Sequence, residues 1–349
     1  MLEIDIYKNI NKDIIKPIDF NTNPVDEFNE NYKPIQNDEI FKFFGIKNFN
    51  IENDTNFIKK YVENKDYKEL IKFIIKLDSY ELEMILKNNK DILKNNNSSN
   101  KLFYFIKRFI SNSILLDCEE LYEILNSSSD KKIKLIESIR IIIQNLENNK
   151  LFYFYFYNKY KINLKKLLDN NLYSQEDQSN LIVDFLKTIL ITNRKHNIFL
   201  NREKNKEIFN EVVENSGEDF NLENRELLKM WFIETSKTDF IYLHKKIEKE
   251  LQENLDELFN NFNKEDKYLI DSLIYYIENK GLYYCLEIKE GINNGDSFVI
   301  IRSLINIYKE KIIDEVNNIY KQLYGMDLIE LFKNDDEYSF IIKQLIYNK

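Results

Sequence analysis

The residues that could do chemistry are few and scattered. His196 and His244 stand far apart, and neither has the spacing of a metal-ligand pair. Both read as surface or connector histidines with satisfied hydrogen bonds. Cys118 and Cys285 sit in apolar helical patterns and read as small core residues. Trp231, between Leu228 and Phe232 on an apolar face, reads as core packing. The carboxylates are many, but they interleave with lysines as solvated helix faces do, so no general acid–base pair stands out. That argues against an enzyme. Six glycines in 349 residues leave no phosphate-cradling loop. What remains are short polar turns: Asn293-Asn294-Gly295-Asp296, Asn215 to Asp219, Ser127 to Asp130, and Glu63 to Asp66. Taken alone, such turns connect helices, with Gly and Asn supplying left-handed backbone.

The elements that must position these turns are helices. Ile300, Ile301, Leu304 and Ile307 recur at three- and four-residue steps, as do Val316, Ile319, Tyr320 and Leu323. Gly325 falls where a helix should stop in a left-handed cap. Asp327 is placed to open a short helix from Leu328 to Phe332, and a last helix is predicted from Tyr338 to Ile346. The three prolines are Pro17, Pro24 and Pro34, so nothing after Pro34 interrupts helix. One stretch dissents: Leu151 to Tyr157 alternates Phe and Tyr with the propensity of a strand. An isolated strand would lack a partner, so helix is the expectation there.

A repeated unit is visible in the spacing. Phe156, Tyr160, Leu164, Leu167 and Leu168 share their intervals with Ile247, Leu251, Leu255, Leu258 and Phe259. Ile319, Leu323, Leu328, Leu331 and Phe332 give the same series with one residue more at Gly325. Four repeats are expected, at 52–114, 115–194, 195–280 and 281–349, after an N-terminal arm at 1–51 that is partly ordered and packs or meets a protein partner. The first repeat matches loosely, and its third and fourth helices should be shortened.

The formal net charge of -9 excludes non-specific attraction to nucleic acid or to anionic lipid, so a cation must bridge any contact with an acidic membrane. Two cysteines fit a reducing compartment without a disulfide framework. The N-terminus lacks a signal-peptide pattern and no apolar run is long enough to span a bilayer, which predicts a soluble intracellular chain.

From about Asn53 to Lys349, and most clearly in the last two repeats, the sequence resembles the annexins. The resemblance implies an all-α array of four repeats of about five helices each. It also implies calcium bound by carbonyls of the turn between the first two helices of a repeat, completed by an acid about forty residues later. Calcium takes six to eight hard oxygens, and small residues let several carbonyls turn inward. Carried over, the fourth repeat offers Gly291, Asn293 and Gly295 with Asp335 as the distal acid. The third offers Asn215, Gly217 and Glu218 with Glu265 or Asp266. The second offers Ser127 to Asp130 with Asp169 or Glu176, and the first only Glu63 to Asp66. No turn keeps the family's glycine-x-glycine-threonine pattern, and few formal charges surround the ion, so weak affinity of roughly 10⁻⁵ to 10⁻³ M is expected. The implied function is peripheral docking on acidic phospholipid in the cytoplasm. The alternative is a calcium-independent scaffold for cytoskeleton, membrane or a protein partner, as the similar alpha-giardins suggest.

Overall fold

Among the described residues nine helices open on a side chain that fits the rule for helix starts. Asp66, Asn112, Asp130, Asn163, Asn201, Ser236, Asn263, Asn279 and Asp296 each accept a hydrogen bond from a backbone N–H in the first turn that follows. The computed structural model describes residues 51–77, 82, 101–172, 181–192, 200–216, 224–252, 258–260, 262–332 and 336–347. The chain divides into two compact units, 1–49 and 50–349, and every described helix belongs to the second. The expected arm therefore lies outside the described residues, as do most of 78–100, where the shortened helices of the first repeat were expected.

The first repeat holds α1 (Ile51–Glu63), α2 (Tyr67–Ile74) and α3 (Lys101–Ile110). The second holds α4 (Ser113–Asn126), α5 (Lys131–Gln144), α6 (Asn149–Tyr160), α7 (Leu164–Leu172) and α8 (Leu181–Ile191). The third holds α9 (Arg202–Glu214), α10 (Arg225–Phe232), α11 (Lys237–Leu251) and α12 (Lys264–Glu278). The fourth holds α13 (Lys280–Asn294), α14 (Ser297–Lys309), α15 (Ile313–Tyr324), a 3-10 turn at Leu328–Phe332 and α16 (Asp336–Tyr347). No strand occurs among the described residues.

The Phe/Tyr stretch is helical in α6. Asn149, Phe152, Tyr153 and Phe156 face inward at helical spacing, and Leu151 and Phe154 face out. Register overrode strand propensity because a lone strand leaves its backbone groups unpaired. The repeat also emerges with a cleaner register than the sequence suggested. α6 and α15 begin and end 164 residues apart (149 to 313, 160 to 324). Phe156 therefore corresponds to Tyr320, not Ile319, and no residue is inserted at Gly325. Burial agrees: Tyr320 is inside, whereas Leu323 is 49% exposed. The break after this helix is left-handed every time, at Lys161 (φ 56), Gln252 (φ 56) and Gly325 (φ 73). Asp327 does not cap the short turn by its side chain; it accepts from Asn317 Nδ2 at 3.2 Å, while Asn317 Oδ1 receives the Leu328 N–H at 2.8 Å.

The array closes on itself. α14 and α16 of the fourth repeat pack on α3 and α16 on α2, while α5 and α8 of the second repeat pack on α12 of the third. Trp231 is fully buried among Phe232, Phe240 and Phe259, as core. Cys118 and Cys285 are buried at matching places, each S–H donating to a carbonyl across its repeat, Phe152 O and Val316 O, both at 3.4 Å. Burial raises both thiols to about 12, so they are inert packing groups.

Candidate cation-binding turns and the charged joint between repeats

Four central helices point the same way, which decides where the turns lie. Glu137 and then Gln144 on α5 meet Arg302 and then Asn306 on α14. Tyr104 and then Phe109 on α3 meet Phe298 and then Tyr308 on α14. Lys132 near the start of α5 pairs with Glu265 at the start of α12, and Tyr276 near the end of α12 donates to Gln144 O at the end of α5. The starts of α3, α5, α12 and α14 therefore share one end of the bundle that these helices form. Helix starts carry partial positive charge, and Lys101, Lys131 and Lys264 stand there. The same end exposes two large apolar side chains, Ile133 at 56% and Phe298 at 46%.

In the fourth repeat the turn from α13 to α14 is two residues long. Gly295 is left-handed (φ 67). Its N–H bonds Ile292 O at 3.1 Å, and the Asp296 N–H bonds Gly291 O at 2.7 Å. This pair of bonds is a Schellman cap. It occupies the Gly291 and Ile292 carbonyls. Gly291 and Asn293 thus lie in the last turn of the helix, not in the loop as expected from sequence. Gly291 is buried for packing: a Cβ there would stand 2.9 Å from Ile300 Cγ1 and 3.3 Å from Asp296 O. Around Gly295 nothing stands within 4 Å of a Cβ, so the turn is open to a ligand. Asp296 caps α14, accepting from Phe298 N at 2.9 Å and Val299 N at 3.1 Å. Asp335, the expected distal acid, lies outside the described residues.

The other turns are more fully consumed by their own bonds. In the third repeat Asn215 closes α9, its Nδ2 donating to Glu211 O at 2.6 Å; Gly217 and Glu218 lie outside the described residues. Glu265 is held by Lys132 of the second repeat, which keeps its carboxyl below the usual range. Asp266 is buried in a reciprocal cap with Asn263, taking Nδ2 at 2.6 Å and giving its N–H to Oδ1 at 2.8 Å. Burial, with Glu265 beside it, pushes its carboxyl up to about 7. In the second repeat Ser127 Oγ donates to Ile124 O at 2.8 Å, Asp130 accepts from Lys132 N at 2.8 Å, and Asp169 pairs with Lys187 at 2.8 Å; Glu176 lies outside the described residues. In the first, Asp66 caps α2 through Glu69 N at 3.4 Å. Asp66 and Asp130, which the sequence offers as ligands, are helix caps, as Asp296 is. Among the described residues no group of three or more His, Cys, Asp or Glu side chains could hold a metal. A cation at the α13–α14 turn would rest on neutral oxygens, which fits a hard ion held weakly.

Sequence reasoning missed a second polar feature altogether. Arg108, Arg140 and Arg302 are buried where the second and fourth repeats meet. Arg108 pairs with Asp117 and, at 3.0 Å, with Glu120. Arg302 Nε reaches Glu120 and its Nη2 reaches Glu137, both at 3.5 Å. Arg140 pairs with Glu137, with Glu287 at 2.9 Å and with Glu290 at 2.7 Å. Around this chain Lys280 bridges Glu147 at 2.9 Å and Glu310 at 3.2 Å. The signal was present: Arg140 stands inside an isoleucine run, and Arg302 follows Ile300 and Ile301. A charge on an apolar helix face needs a buried partner. His244 was misread for the same reason. It is buried on α11 between Glu278 and Glu248, and those carboxylates raise its pKa despite the opposing cost of burial. His196 lies outside the described residues.

No family model matches the sequence, and no curated protein matches it. Solved structures do match. Annexin III superposes with a TM-score of 0.72 over 87% of this chain and 95% of its own, at 15% identity. The fold is the annexin fold. A calcium-bound alpha-14 giardin gives 0.69 over 85% of this chain and 99% of its own, at 13% identity. Chicken annexin V in complex with zinc gives 0.66 over 87% and 96%, at 11% identity. The all-α architecture of annexin-like repeats expected from the sequence is thus present.

Proposed function

We propose that this annexin-fold chain docks peripherally on acidic phospholipid inside the cell, with calcium held at inter-helix turns, foremost at the turn from α13 to α14. The observation that carries the reading is the end of the bundle where α3, α5, α12 and α14 begin. It gathers the open turn at Gly295, lysines, helix starts and two exposed apolar side chains. Lipid phosphate suits helix starts and ammonium groups, calcium bridges it to turn oxygens, and Ile133 and Phe298 reach the interfacial layer. Each of these contributions offsets the repulsion that a net charge of -9 meets at an anionic surface. Among the described residues no helix is long and apolar enough to cross a membrane, which suits docking from outside the bilayer. Co-sedimentation with phosphatidylserine vesicles at millimolar calcium, reversed by chelator, is the expected result. Absence of binding at that calcium level removes the reading. Asn293 and Gly295, with Asp335, are the proposed fourth-repeat ligands; Asn215 and Gly217 are proposed for the third, with Glu265 available only if Lys132 releases it.

A second reading, a calcium-independent scaffold, is favoured by the capping roles of Asp66, Asp130 and Asp296 and by the engagement of Glu265. A thermal melt separates the two. A ligand that binds only the folded chain must raise the midpoint, so an unchanged midpoint at millimolar calcium selects the scaffold.

A further inference from the structure

Glu120 and Glu287 occupy the same place in the second and fourth repeats, 167 residues apart, as Cys118 and Cys285 also are. Each is buried or nearly so, each faces an arginine from the other repeat, and each accepts from a tyrosine hydroxyl. Tyr104 of α3 donates to Glu120 at 2.6 Å, and Tyr268 of α12 donates to Glu287 at 2.9 Å. One turn beyond those tyrosines the two sides part. α3 carries Arg108, which pairs with Glu120 at 3.0 Å; α12 carries Ser272. We propose that this single difference makes Glu287 a proton-binding group that couples proton uptake to the contact between the second and fourth repeats, while Glu120 stays ionised.

The charges facing Glu287 can be named element by element. From α5 come Arg140 and Glu137, from α12 Tyr268, and from its own helix Tyr283 and Glu290. From α14, Arg302 lies beyond Tyr283 and is already engaged by Glu120 and Glu137. From α15, Glu315 stands against Gly281 and influences Cys285 on another side of α13. Arg140 thus faces three carboxylates and shares only Glu137 with a second arginine, Arg302. Along the whole chain three arginines, Arg108, Arg140 and Arg302, meet five carboxylates, Asp117, Glu120, Glu137, Glu287 and Glu290. A proton from solvent forming an O–H on Glu287 reduces that surplus by one and leaves Arg140 with Glu137 and Glu290. Burial, aided by Glu290 and opposed by Arg140, lifts the Glu287 carboxyl to about 7. At Glu120 burial pushes the same way, but Arg108 and Arg302 outweigh it and hold the carboxyl low.

The sign follows from linkage. The folded chain keeps a proton on Glu287 that the unfolded chain releases near the ordinary 4.5. The contribution is therefore largest on the acid side and is lost as pH rises to about 7. The joint is tighter in acid and looser in mildly alkaline solution, whether or not the chain binds lipid.

Hydrogen exchange on the full chain, read in peptides of α5 and α13 at pH 5.5 and 8 and corrected for intrinsic rates, tests this. Wild type should open at least about tenfold more at pH 8, because the closed joint binds the Glu287 proton more tightly than the open one and loses that advantage once the proton leaves. E287Q should abolish that ratio, and E120Q should keep it. D266N and H244Q should also keep it, since neither group is among the charges that act on Glu287. A wild-type ratio near one, or an undiminished ratio in E287Q, overturns the proposal. Should E287Q not fold, a carbon-13 titration of glutamate carboxyls in the wild-type chain decides. One resonance with a midpoint near 7 is expected, and none above 5.5 overturns it.

Discussion

The second and fourth repeats are alike inside and unlike at their turns. α4 and α13 each lay a cysteine under a carbonyl of α6 or α15, at 3.4 Å in both. The ring that closes the third helix of each repeat is covered from the first helix: Tyr160 stacks on Tyr122 at 4.0 Å, and Tyr324 lies under the Lys289 ammonium at 5.4 Å. Inward positions keep their geometry even when the chemistry is exchanged. The turns do not: four residues, Ser127 to Asp130, connect α4 to α5, whereas two, Gly295 and Asp296, connect α13 to α14. Packing constrains volume and direction at every core position, whereas a solvated turn must only connect and cap. Turn chemistry therefore varies from repeat to repeat while the scaffold stays constant.

The comparison can be broken most forcefully at Arg108. Arg108→Ser gives the first repeat the residue that the third has at Ser272, and leaves Asp117 and Glu120 buried with one cation fewer. A loss of about 3–5 kcal/mol is expected in urea unfolding, the cost of an uncompensated buried charge. A loss below about 1 kcal/mol would mean that the two tyrosine-carboxylate arrangements are interchangeable. Next in size is Gly291→Ala. Ile124 holds the matching place in the second repeat, but in the fourth a Cβ meets Ile300 and the Asp296 carbonyl. Overpacking of about 1–3 kcal/mol is expected in the same assay, whereas Ile124→Ala should cost about 1 kcal/mol by the opposite cause, lost packing of a half-buried side chain.

The third repeat sharpens the contrast by pH. His244 stands where the second repeat has Tyr153 and the fourth Asn317. Glu278 and Glu248 raise its folded pKa above 6.5. Its stabilisation is therefore complete below 6.5 and is lost as pH rises through the folded value. His244→Gln should remove that part of the pH dependence of the thermal midpoint, and a slope unchanged above pH 6.5 would show that the imidazole carries no proton there. The smallest effect concerns the left-handed break. Lys161→Gly should stabilise by up to about 1 kcal/mol and Gly325→Ala should cost about 1 kcal/mol, since only glycine takes this backbone without strain. Opposite signs in thermal melts are the check.

Much of this was legible in the residues. Helix positions, the stop at Gly325, the helical Phe/Tyr stretch, the buried Trp231 and the matched cysteines all follow from spacing and turn chemistry. The breaks at Lys161 and Gln252 did not, because no glycine marks them and the two residues there take left-handed backbone without one. The one-residue slip at Gly325 arose because Ile319 and Leu323 are as apolar as Tyr320 and Tyr324, and pattern alone cannot rank them. The turn acids were over-read as ligands, since capping and coordination ask for the same side chains at the same places. Partners such as Glu137 and Arg302, 165 residues apart, have no local trace beyond an arginine among isoleucines.

The reciprocal arginines have a consequence for cutting the chain. A fragment ending at Ile191 would keep Glu120 but lose Arg302, and keep Arg140 but lose Glu287 and Glu290. Its complement would strand the opposite charges. Neither piece could dry its own interior, so a protease that nicks the connection between the halves should leave them clinging together, each serving as the other's counter-ion.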